Sequence, residues 1–414
     1  YWDYEMAPSV CPHCSLGCNI VPVARYRELL KTFARRNDAV NGWFICDRGR
    51  FGNAAVNDPK RPRTPRIDGR DTTWDEALDD LIIRINELQQ LHGPESLAVV
   101  GSPRMTLEGN LMLAQLAGLL GCALCYFTDS TQQERTLGAL SLINNENAAS
   151  MGDVQQSDCI VIAGCDLLKN GPMMALAVRQ AWRKGAEVFL LDSDASSLPF
   201  ACVPVKSLAE IPLSGAMKPV IICGDVVSMR ENIIKGDTVS PKIAFIFDGP
   251  NSFAAATLAL EHKTRPLDEI IALGKIKGVM SFEADFQPDL CGKIPLICTA
   301  DWLPVVNLPD DCILLPTTPW VEVDGTYINN EGRAQRFLQV MKPGLPVKGL
   351  NPERHPDRVH RRSPPGGDPT PGWRVIADLI ARISREDVSH PLAGKWASLS
   401  DIDPEGDGVR VFGI

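Results

Sequence analysis

The sequence predicts an α/β protein in which a small N-terminal domain precedes two doubly wound, parallel-sheet domains. Short runs rich in Val, Ile and Leu recur through the middle of the chain, and helix-like segments separate most of them. Continuous apolar strands that alternate with helices are typical of parallel sheets covered on both faces. A length of 414 residues is enough for two or three domains.

The helices and strands are predicted from apolar spacing and capping residues. Thr73 and Glu76 form a capping box that opens the helix WDEALDDLIIRINELQQLHG, and Gly93 with Pro94 ends it. Further helices are expected around 107–120 and over 372–384. The predicted buried strands are SLAVVG, ALCYF, CIVIAG at 159–164, EVFLLD at 187–192, VIIC at 220–223, IAFIFD at 243–248, PLICTA at 295–300 and CILLP at 312–316.

Changes of pattern along the chain suggest domain boundaries. We expect an N-terminal cysteine-rich domain at 1–62, a discontinuous first α/β domain, a second α/β domain at 141–294 and a C-terminal tail at 391–414. The two sections of the first α/β domain are 63–140 and 295–390. A Pro-rich segment at 343–371 is either a linker or a docking strip for an acidic partner. Docking is favoured because an apolar helix resumes at 372–384 and holds both ends of the segment. The segment carries the basic residues Lys348, Arg354, Arg358, Arg361 and Arg362.

Composition and missing motifs exclude several classes of function. With 42 Lys and Arg against 51 Asp and Glu, the formal charge of −9 argues against a nucleic-acid-binding protein. The apolar run at 111–127 is short and interrupted by glycine, so we expect no membrane span. The first residues have neither the basic nor the apolar region of a signal peptide. The sequence contains no dinucleotide-binding G-x-G-x-x-G, P-loop, H-E-x-x-H or G-x-S-x-G motif.

Four of the 13 cysteines form a pattern. Cys11, Cys14 and Cys18 lie in CPHCSLGC, and Cys46 follows after 27 intervening residues. Four thiolates are what a 4Fe-4S cluster requires, and three of them can lie on one tight loop that Gly17 allows. The intervening segment is expected to return the fourth ligand as a hairpin, with NIVPVARY and GWFI as its strands. Zinc is the rival occupant, but a zinc site built from four cysteines usually contains two C-x-x-C pairs, and Cys46 stands alone.

The other cysteines are expected to be small buried hydrophobic residues, including the C-x-x-C pair Cys122 and Cys125 in an apolar run. Near the cluster motif, His13, Arg48 and Arg50 are expected to add positive charge that favours the reduced, more negative cluster. The acids at strand ends, Asp166, Asp192 and Asp248, are interpreted as helix caps or ordinary loop residues.

The motifs SVCPHCSLGCNI and NGWFICDRGRFG resemble the large iron–sulfur subunit of bacterial NADH–quinone oxidoreductase, the respiratory complex I. The later runs NDPKRPRTPRIDGRDTTWDEALDDL and LPTTPWVEVDGTYINNEGRAQRF also resemble that family and the wider molybdopterin oxidoreductases. The resemblance implies that the fold is of a degenerate molybdopterin-oxidoreductase type. It also implies that Cys11, Cys14, Cys18 and Cys46 are the metal ligands of one 4Fe-4S cluster.

Departures from the molybdenum enzymes imply that molybdopterin is absent. Arg48 stands where those enzymes commonly have lysine, only Cys125 and Ser130 are nearby candidates for a metal ligand, and few residues follow the helix that ends near Ser384. No catalytic residues are therefore assigned to this chain. The large subunit of the family also has a ferredoxin-like region with further clusters, which belong to a portion outside this sequence or to another chain.

The function that the resemblance implies is an electron-transfer and structural role in the peripheral arm of NADH–quinone oxidoreductase. The implied partners are ferredoxin-like and flavin-bearing subunits, and the implied location is the cytoplasmic side of the inner membrane. Two alternatives stay open. One is a catalytic subunit of a molybdenum or tungsten enzyme similar to formate dehydrogenase, and the other is a non-redox scaffold stabilised by a metal.

Overall fold

A computed structural model describes residues 2–191, 198–224, 241–285, 294–304, 308–347 and 365–412. Its strands pair into four sheets. In chain order the strands are β1 (Glu5–Met6), β2 (Ser9–Val10), β3 (Asn19–Arg25), β4 (Glu28–Ala34), β5 (Arg66–Ile67), β6 (Arg70–Asp71), β7 (Leu97–Val100), β8 (Ala123–Cys125), β9 (Cys159–Ala163), β10 (Glu187–Leu191), β11 (Val203–Val205), β12 (Pro219–Cys223), β13 (Lys242–Phe245), β14 (Gly278–Phe282), β15 (Leu296–Asp301), β16 (Ile313–Pro316), β17 (Gly325–Ile328), β18 (Arg333–Phe337) and β19 (Val409–Arg410).

The helices cover the parallel sheets and begin at residues suited to that position. The capping box of the second helix is confirmed, because the Glu76 amide donates to Thr73 Oγ1 at 3.2 Å. Of the described helices, none is both long and apolar enough to cross a membrane. In chain order they are α1 (Asp47–Phe51), α2 (Trp74–His92), α3 (Leu107–Leu120), α4 (Ser130–Leu140), α5 (Met151–Gln155), α6 (Leu167–Asn170), α7 (Pro172–Arg183), α8 (Ser252–His262), α9 (Leu267–Ala272) and α10 (Gly372–Ser384).

Two sheets form the α/β part of the molecule, and they confirm the predicted fold class. The five-stranded sheet has the order β11-β10-β9-β12-β13, and all of its pairs are parallel. The seven-stranded sheet has the order β6-β5-β16-β15-β14-β7-β8 and is parallel from β16 to β8. In each sheet the central strands are buried along their whole length, as apolar runs without alternation predict.

The strand β14 lies in a different sheet from the one expected for its segment. Residues 278–282 fall within the predicted second α/β domain at 141–294, yet β14 pairs with β7 and β15 in the seven-stranded sheet. This strand is missing from the sequence-based prediction because Gly278 and Ser281 interrupt its apolar run. We propose that the boundary of the second domain lies before residue 278. The other domain limits stay predictions.

The N-terminal sheet has a hairpin whose second strand differs from the predicted one. The strand β3 is as expected, but its partner is β4, whereas GWFI at 42–45 is not a strand. The turn consists of Tyr26 and Arg27, both with positive φ, as two-residue hairpin turns require. Trp43 and Phe44 are 64% and 61% exposed, so their apolar character does not mark a buried strand.

A second hairpin, formed by β17 and β18, ties the N-terminal domain to the α/β part. The Thr326 amide donates to the buried carboxylate of Glu108 in α3 at 3.0 Å, and the Asn330 amide donates to the Ser15 carbonyl at 2.8 Å. The LPTTPWVEVDGTYINNEGRAQRF run therefore has a structural role in joining the domains.

The predicted docking strip in the Pro-rich segment stays a prediction. Its five basic residues all lie outside the described residues; they are Lys348, Arg354, Arg358, Arg361 and Arg362.

Candidate iron–sulfur site

The loop from Cys11 to Cys18 is closed on itself by its main chain. The Cys11 amide donates to the Cys18 carbonyl at 2.8 Å, directly after β2 and before β3. Gly17 has φ +68°, and a Cβ placed on it would come within 2.5 Å of Gln335 Oε1. Both the left-handed backbone and the close approach of β18 therefore require glycine at position 17.

The fourth cysteine is at the start of a helix beside this loop. Cys46 caps α1, and its Sγ accepts a hydrogen bond from the Gly49 amide at 3.5 Å. A Cβ placed on Gly49 would lie 3.3 Å from Cys11 Sγ and 4.0 Å from Cys46 Sγ. Glycine at position 49 therefore leaves the space between these two sulfurs open.

All four predicted cysteines line one pocket of about 310 Å³. In the described part of the chain, no three His, Cys, Asp or Glu side chains are gathered closely enough to hold a single metal ion. A 4Fe-4S cube instead takes one thiolate at each of its four irons. The full lining is Cys11, His13, Cys14, Leu16, Cys18, Ile45, Cys46, Arg48, Gly49, Pro172 and Met173.

The three thiols on the loop of this pocket, those of Cys11, Cys14 and Cys18, are hard to ionise without a cationic group. Burial, and then the neighbouring cysteines, raise the pKa of Cys11 and of Cys18 far above the usual range. Burial raises the pKa of Cys14 to about 11, and Cys46 adds to that shift. A metal site binds thiolates, so iron in the pocket would supply the positive charge that stabilises the ionised form of these thiols. The donor set thus fits an iron–sulfur cluster.

The charges around the pocket differ in one respect from the expectation. His13 Nε2 lies 2.9 Å from Asn53 Oδ1, and burial lowers the pKa of this imidazole. Burial thus disfavours the positive charge expected of His13, and the hydrogen bond with Asn53 opposes that effect. Arg48 lines the pocket, as expected, and its guanidinium donates to the Lys169 carbonyl. Arg50 is half-buried but does not line the pocket.

The α/β part covers the pocket. Pro172 and Met173 at the start of α7 form one wall, and Leu16 packs near Gly171 just before that helix. The Ser15 hydroxyl oxygen accepts a hydrogen bond from the Phe247 amide at 2.9 Å. These contacts fix the cysteine loop between the two parts of the molecule and exclude water from it.

A larger cavity of about 540 Å³ adjoins the other side of the same loop. Pro12 lines it, together with residues beyond the carboxyl ends of β7, β14 and β16, the edge at which open parallel sheets bind ligands. Its polar group consists of Arg104, Glu283 and Tyr327. The full lining is Pro12, Arg104, Met105, Thr106, Gly109, Pro250, Glu283, Trp302, Thr318, Trp320, Val323, Tyr327, Gly372 and Trp373.

The sequence-based prediction does not include these three residues. A search for polar residues that follow the carboxyl ends of parallel strands is the signal that could have identified them. Of the strand-end acids that the sequence suggests, Asp166 caps α6 by accepting from the Lys169 amide at 3.1 Å, as expected. Asp192 lies outside the described residues. Asp248 borders a separate small cavity. The search for strand-end acids in the sequence does not find Glu283, because the composition of β14, the strand that ends just before it, does not identify it as a strand.

Comparisons with known proteins agree with this architecture. A family model of the molybdopterin oxidoreductase Fe4S4 domain matches residues 4–58, and a model of molybdopterin oxidoreductase matches residues 61–232. Among solved structures, a chain of the formyltransferase/hydrolase complex from Methylorubrum extorquens, solved with methylofuran, covers 78% of this chain and 99% of its own length. The TM-score is 0.56 and the identity 14%, so this similarity concerns the fold alone.

The curated relatives are G subunits of NADH-quinone oxidoreductase from several bacteria. The G subunit of NADH-quinone oxidoreductase from Pseudomonas putida is 28% identical over 83% of this chain and 46% of its own length. Its Escherichia coli counterpart is 27% identical with the same coverage, and that of Shewanella oneidensis is 27% identical over 100% of this chain and 53% of its own length. The chain therefore spans about half the length of the curated relatives it matches. Over residues 4–58 and 61–232 the chain is similar to molybdopterin oxidoreductases, and over most of its length it is similar to the G subunit of bacterial NADH-quinone oxidoreductase.

Proposed function

We propose that this chain holds one 4Fe-4S cluster as part of a subunit of NADH–quinone oxidoreductase, with Cys11, Cys14, Cys18 and Cys46 as ligands. The observation that carries the proposal is the convergence of these four cysteines on one buried pocket. Each has a separate position on the loop or on α1, so each can ligate a different iron. The relatives that share this region are named as subunits of that oxidoreductase.

The residues of the pocket have distinct roles in this proposal. A bound cluster supplies one-electron transfer chemistry. Leu16, Ile45 and Met173 exclude water, and exclusion of water strengthens every charge interaction inside the pocket. The Gly49 amide donates to Cys46 Sγ, and Arg48 supplies positive charge that favours the reduced state. The protein thus sets the stability and the potential of the cluster.

We further propose that the chain binds no active molybdenum cofactor. Cys125 lies within an apolar core cluster, and the Ser130 hydroxyl donates to Asp268 Oδ2 at 2.8 Å. Neither residue is among the described residues that line the cavity of about 540 Å³. A molybdenum ligand would have to face that space, so these two candidates from the sequence are poorly placed for the role.

The wider assembly follows from the relatives. We propose that the chain works in the peripheral arm of the complex on the cytoplasmic side of the inner membrane, in contact with ferredoxin-like and flavin-bearing subunits. The chain alone is then an electron-transfer and structural part, and catalysis belongs to the assembled enzyme.

Elemental analysis of the purified chain tests the proposal. Iron and acid-labile sulfide in equal amounts, with an EPR signal after dithionite reduction, are expected. Stoichiometric molybdenum or tungsten would instead indicate a catalyst similar to formate dehydrogenase, and zinc without iron would indicate a non-redox scaffold. Cys14→Ala should lose the iron. Cys122→Ala is the matched control, because Cys122 is also half-buried but lies outside the pocket, and it should keep the iron.

A further inference from the structure

Glu283 has an unusual backbone conformation at the carboxyl end of β14. Its φ is +48°, in the left-handed region that costs a residue with a side chain about 1 kcal/mol or more. Hydrogen bonds from its neighbours hold it there, because its amide donates to the Ala300 carbonyl at 2.7 Å and its carbonyl accepts from the Ser102 hydroxyl at 2.6 Å. The strained backbone directs the side chain into the cavity of about 540 Å³.

The carboxylate of Glu283 is buried in an excess of negative charge. Glu283 is 8% exposed, and the cationic group beside it, Arg104, also pairs with two other carboxylates. Arg104 Nη2 lies 2.7 Å from Asp301 Oδ2, and Arg104 Nε lies 3.1 Å from Asp285 Oδ1. The Arg104 guanidinium thus already pairs with two other carboxylates, and its charge only partly offsets the burial of Glu283. Burial, and then the charge of Asp301, raise the pKa of Glu283 to about 8 against the opposing effect of Arg104.

Two further elements enclose this carboxylate. A Cβ placed on Gly372, at the start of α10, would come within 2.7 Å of Glu283 Oε1, so glycine leaves room for the carboxylate there. Tyr327 of β17 lines the same cavity, and burial, then Glu283, raise the pKa of its phenol. Tyr327 and Arg104 therefore keep their protons throughout the ordinary pH range, which leaves Glu283 as the group that can exchange one.

The cavity reaches the cysteine loop. Pro12 lies between Cys11 and the rest of the loop and lines the cavity that contains Glu283. Tyr327 lines this cavity, and both Glu283 and Cys11 contribute to the raised pKa of its phenol, so both lie within electrostatic reach of its ring. Cys11, Tyr327 and Glu283 are all buried, so a charge that enters one site acts strongly on the other.

We propose that Glu283 is a redox-linked proton site for the cluster. At alkaline pH, where Glu283 is ionised in the oxidised state, one electron from an external one-electron donor enters the cluster and one proton from solvent forms an O–H bond on the Glu283 carboxylate. Reoxidation returns the electron to an acceptor and the proton to solvent. This inference rests on the proposed cluster, and it assigns to the strained glutamate the partial compensation of the negative charge that reduction brings.

The midpoint potential of the iron-loaded chain as a function of pH tests this role. Between about pH 6 and about pH 8 Glu283 holds its proton in both redox states, so the potential should be constant. Above about pH 8 reduction draws in a proton, and the potential should fall by up to about 59 mV per pH unit, the one-electron equivalent of a tenfold change in proton concentration. Glu283→Gln should remove this slope, and Glu283→Asp should restore it.

Asp285→Asn is the matched control, since it removes a carboxylate that is 81% exposed and should keep the slope. A potential independent of pH in the native chain, or an unchanged slope in Glu283→Gln, would overturn the inference. If Glu283→Gln does not fold, infrared difference spectra between the oxidised and reduced forms test the inference instead. A carboxylic-acid band must appear on reduction of the native chain, and its frequency must differ in Glu283→Asp. A chain without iron and sulfide would refute the cluster itself, which is a separate outcome.

Discussion

The two cavities on either side of the cysteine loop differ in how their polar groups are satisfied. In the smaller one, buried thiols face one another, and half-buried Arg48 is the cationic side chain among its described lining residues. In the larger one, Arg104 pairs with Asp301 and Asp285 within the protein. The first arrangement costs folding free energy until a cationic group binds, whereas in the second the buried charges are largely paired without any ligand.

This difference fits the proposal that the chain holds an iron–sulfur cluster but no molybdenum cofactor. Removing iron from the smaller pocket leaves the buried loop cysteines, Cys11, Cys14 and Cys18, as thiols that do not readily ionise, so we expect folding to depend on the metal. A ligand missing from the larger cavity leaves ion pairs that already hold its walls. The following changes test whether the dependence on a cofactor is confined to the smaller pocket.

Loss of a proposed ligand should have the largest effect. Cys46→Ala removes one corner of the cluster and the cap of α1, so we expect low folding yield and poor assembly, with a smaller effect on turnover of whatever complex does assemble. Yield, iron content and turnover of assembled enzyme measure these effects. Cys202→Ala, a half-buried cysteine elsewhere, should be close to native. Normal assembly with lost turnover would contradict the proposed role.

The wall of the larger cavity should depend on a buried ion pair and not on iron. Arg61 Nη2 lies 2.9 Å from Glu322 Oε2, and both side chains are almost fully buried, with Glu322 between the wall residues Trp320 and Val323. Arg61→Ala should cost about 3–5 kcal/mol in free energy of unfolding, with unchanged iron per folded molecule. Chemical denaturation measures the loss.

Arg66→Ala is the control for that experiment, because the Arg66–Asp71 pair is exposed and should contribute less than about 1 kcal/mol. Equal effects of the two substitutions would show that the buried pair has no special role in holding the cavity wall.

Replacement of a glycine in the cluster pocket should affect iron binding. Gly49→Ala should lower the iron content, because its Cβ would lie 3.3 Å from Cys11 Sγ, and this crowding should offset the stabilisation that alanine otherwise gives a helix. Gly118→Ala in α3, where the added Cβ meets no atom within 4 Å, should stabilise the chain without any loss of iron. Thermal unfolding and iron analysis of both variants distinguish these results.

The smallest effect is expected from a change of charge beside the cluster. Arg48→Ala removes positive charge from the pocket, so the reduced state should be disfavoured and the midpoint potential should become more negative. Arg48→Lys keeps the charge and should lie closer to the native value. A redox titration followed by EPR measures both, and an unchanged potential in Arg48→Ala would remove this role.

Local chemistry decided which features the sequence could predict. Four cysteines at fixed spacing and a capping box at Thr73 are local patterns, which can be recognised without knowing how distant segments pair. The partner of β3 and the sheet that contains β14 depend on pairing between distant segments, which composition does not encode. Glu283, Arg104 and Asp301 come from three separate strand ends, so only the folded sheet brings them together.

The late return of β14 to the seven-stranded sheet has a consequence for biosynthesis. The strand β7 has been synthesised once the ribosome reaches residue 100, but β14, which pairs with one edge of β7, begins only at residue 278. At ordinary elongation rates that interval lasts roughly 10–35 s, during which an apolar strand edge stays open to mispairing. Nascent chains that stop before residue 278 should therefore need chaperones, whereas the cysteine loop is complete early and accessible to iron delivery before α7 covers it.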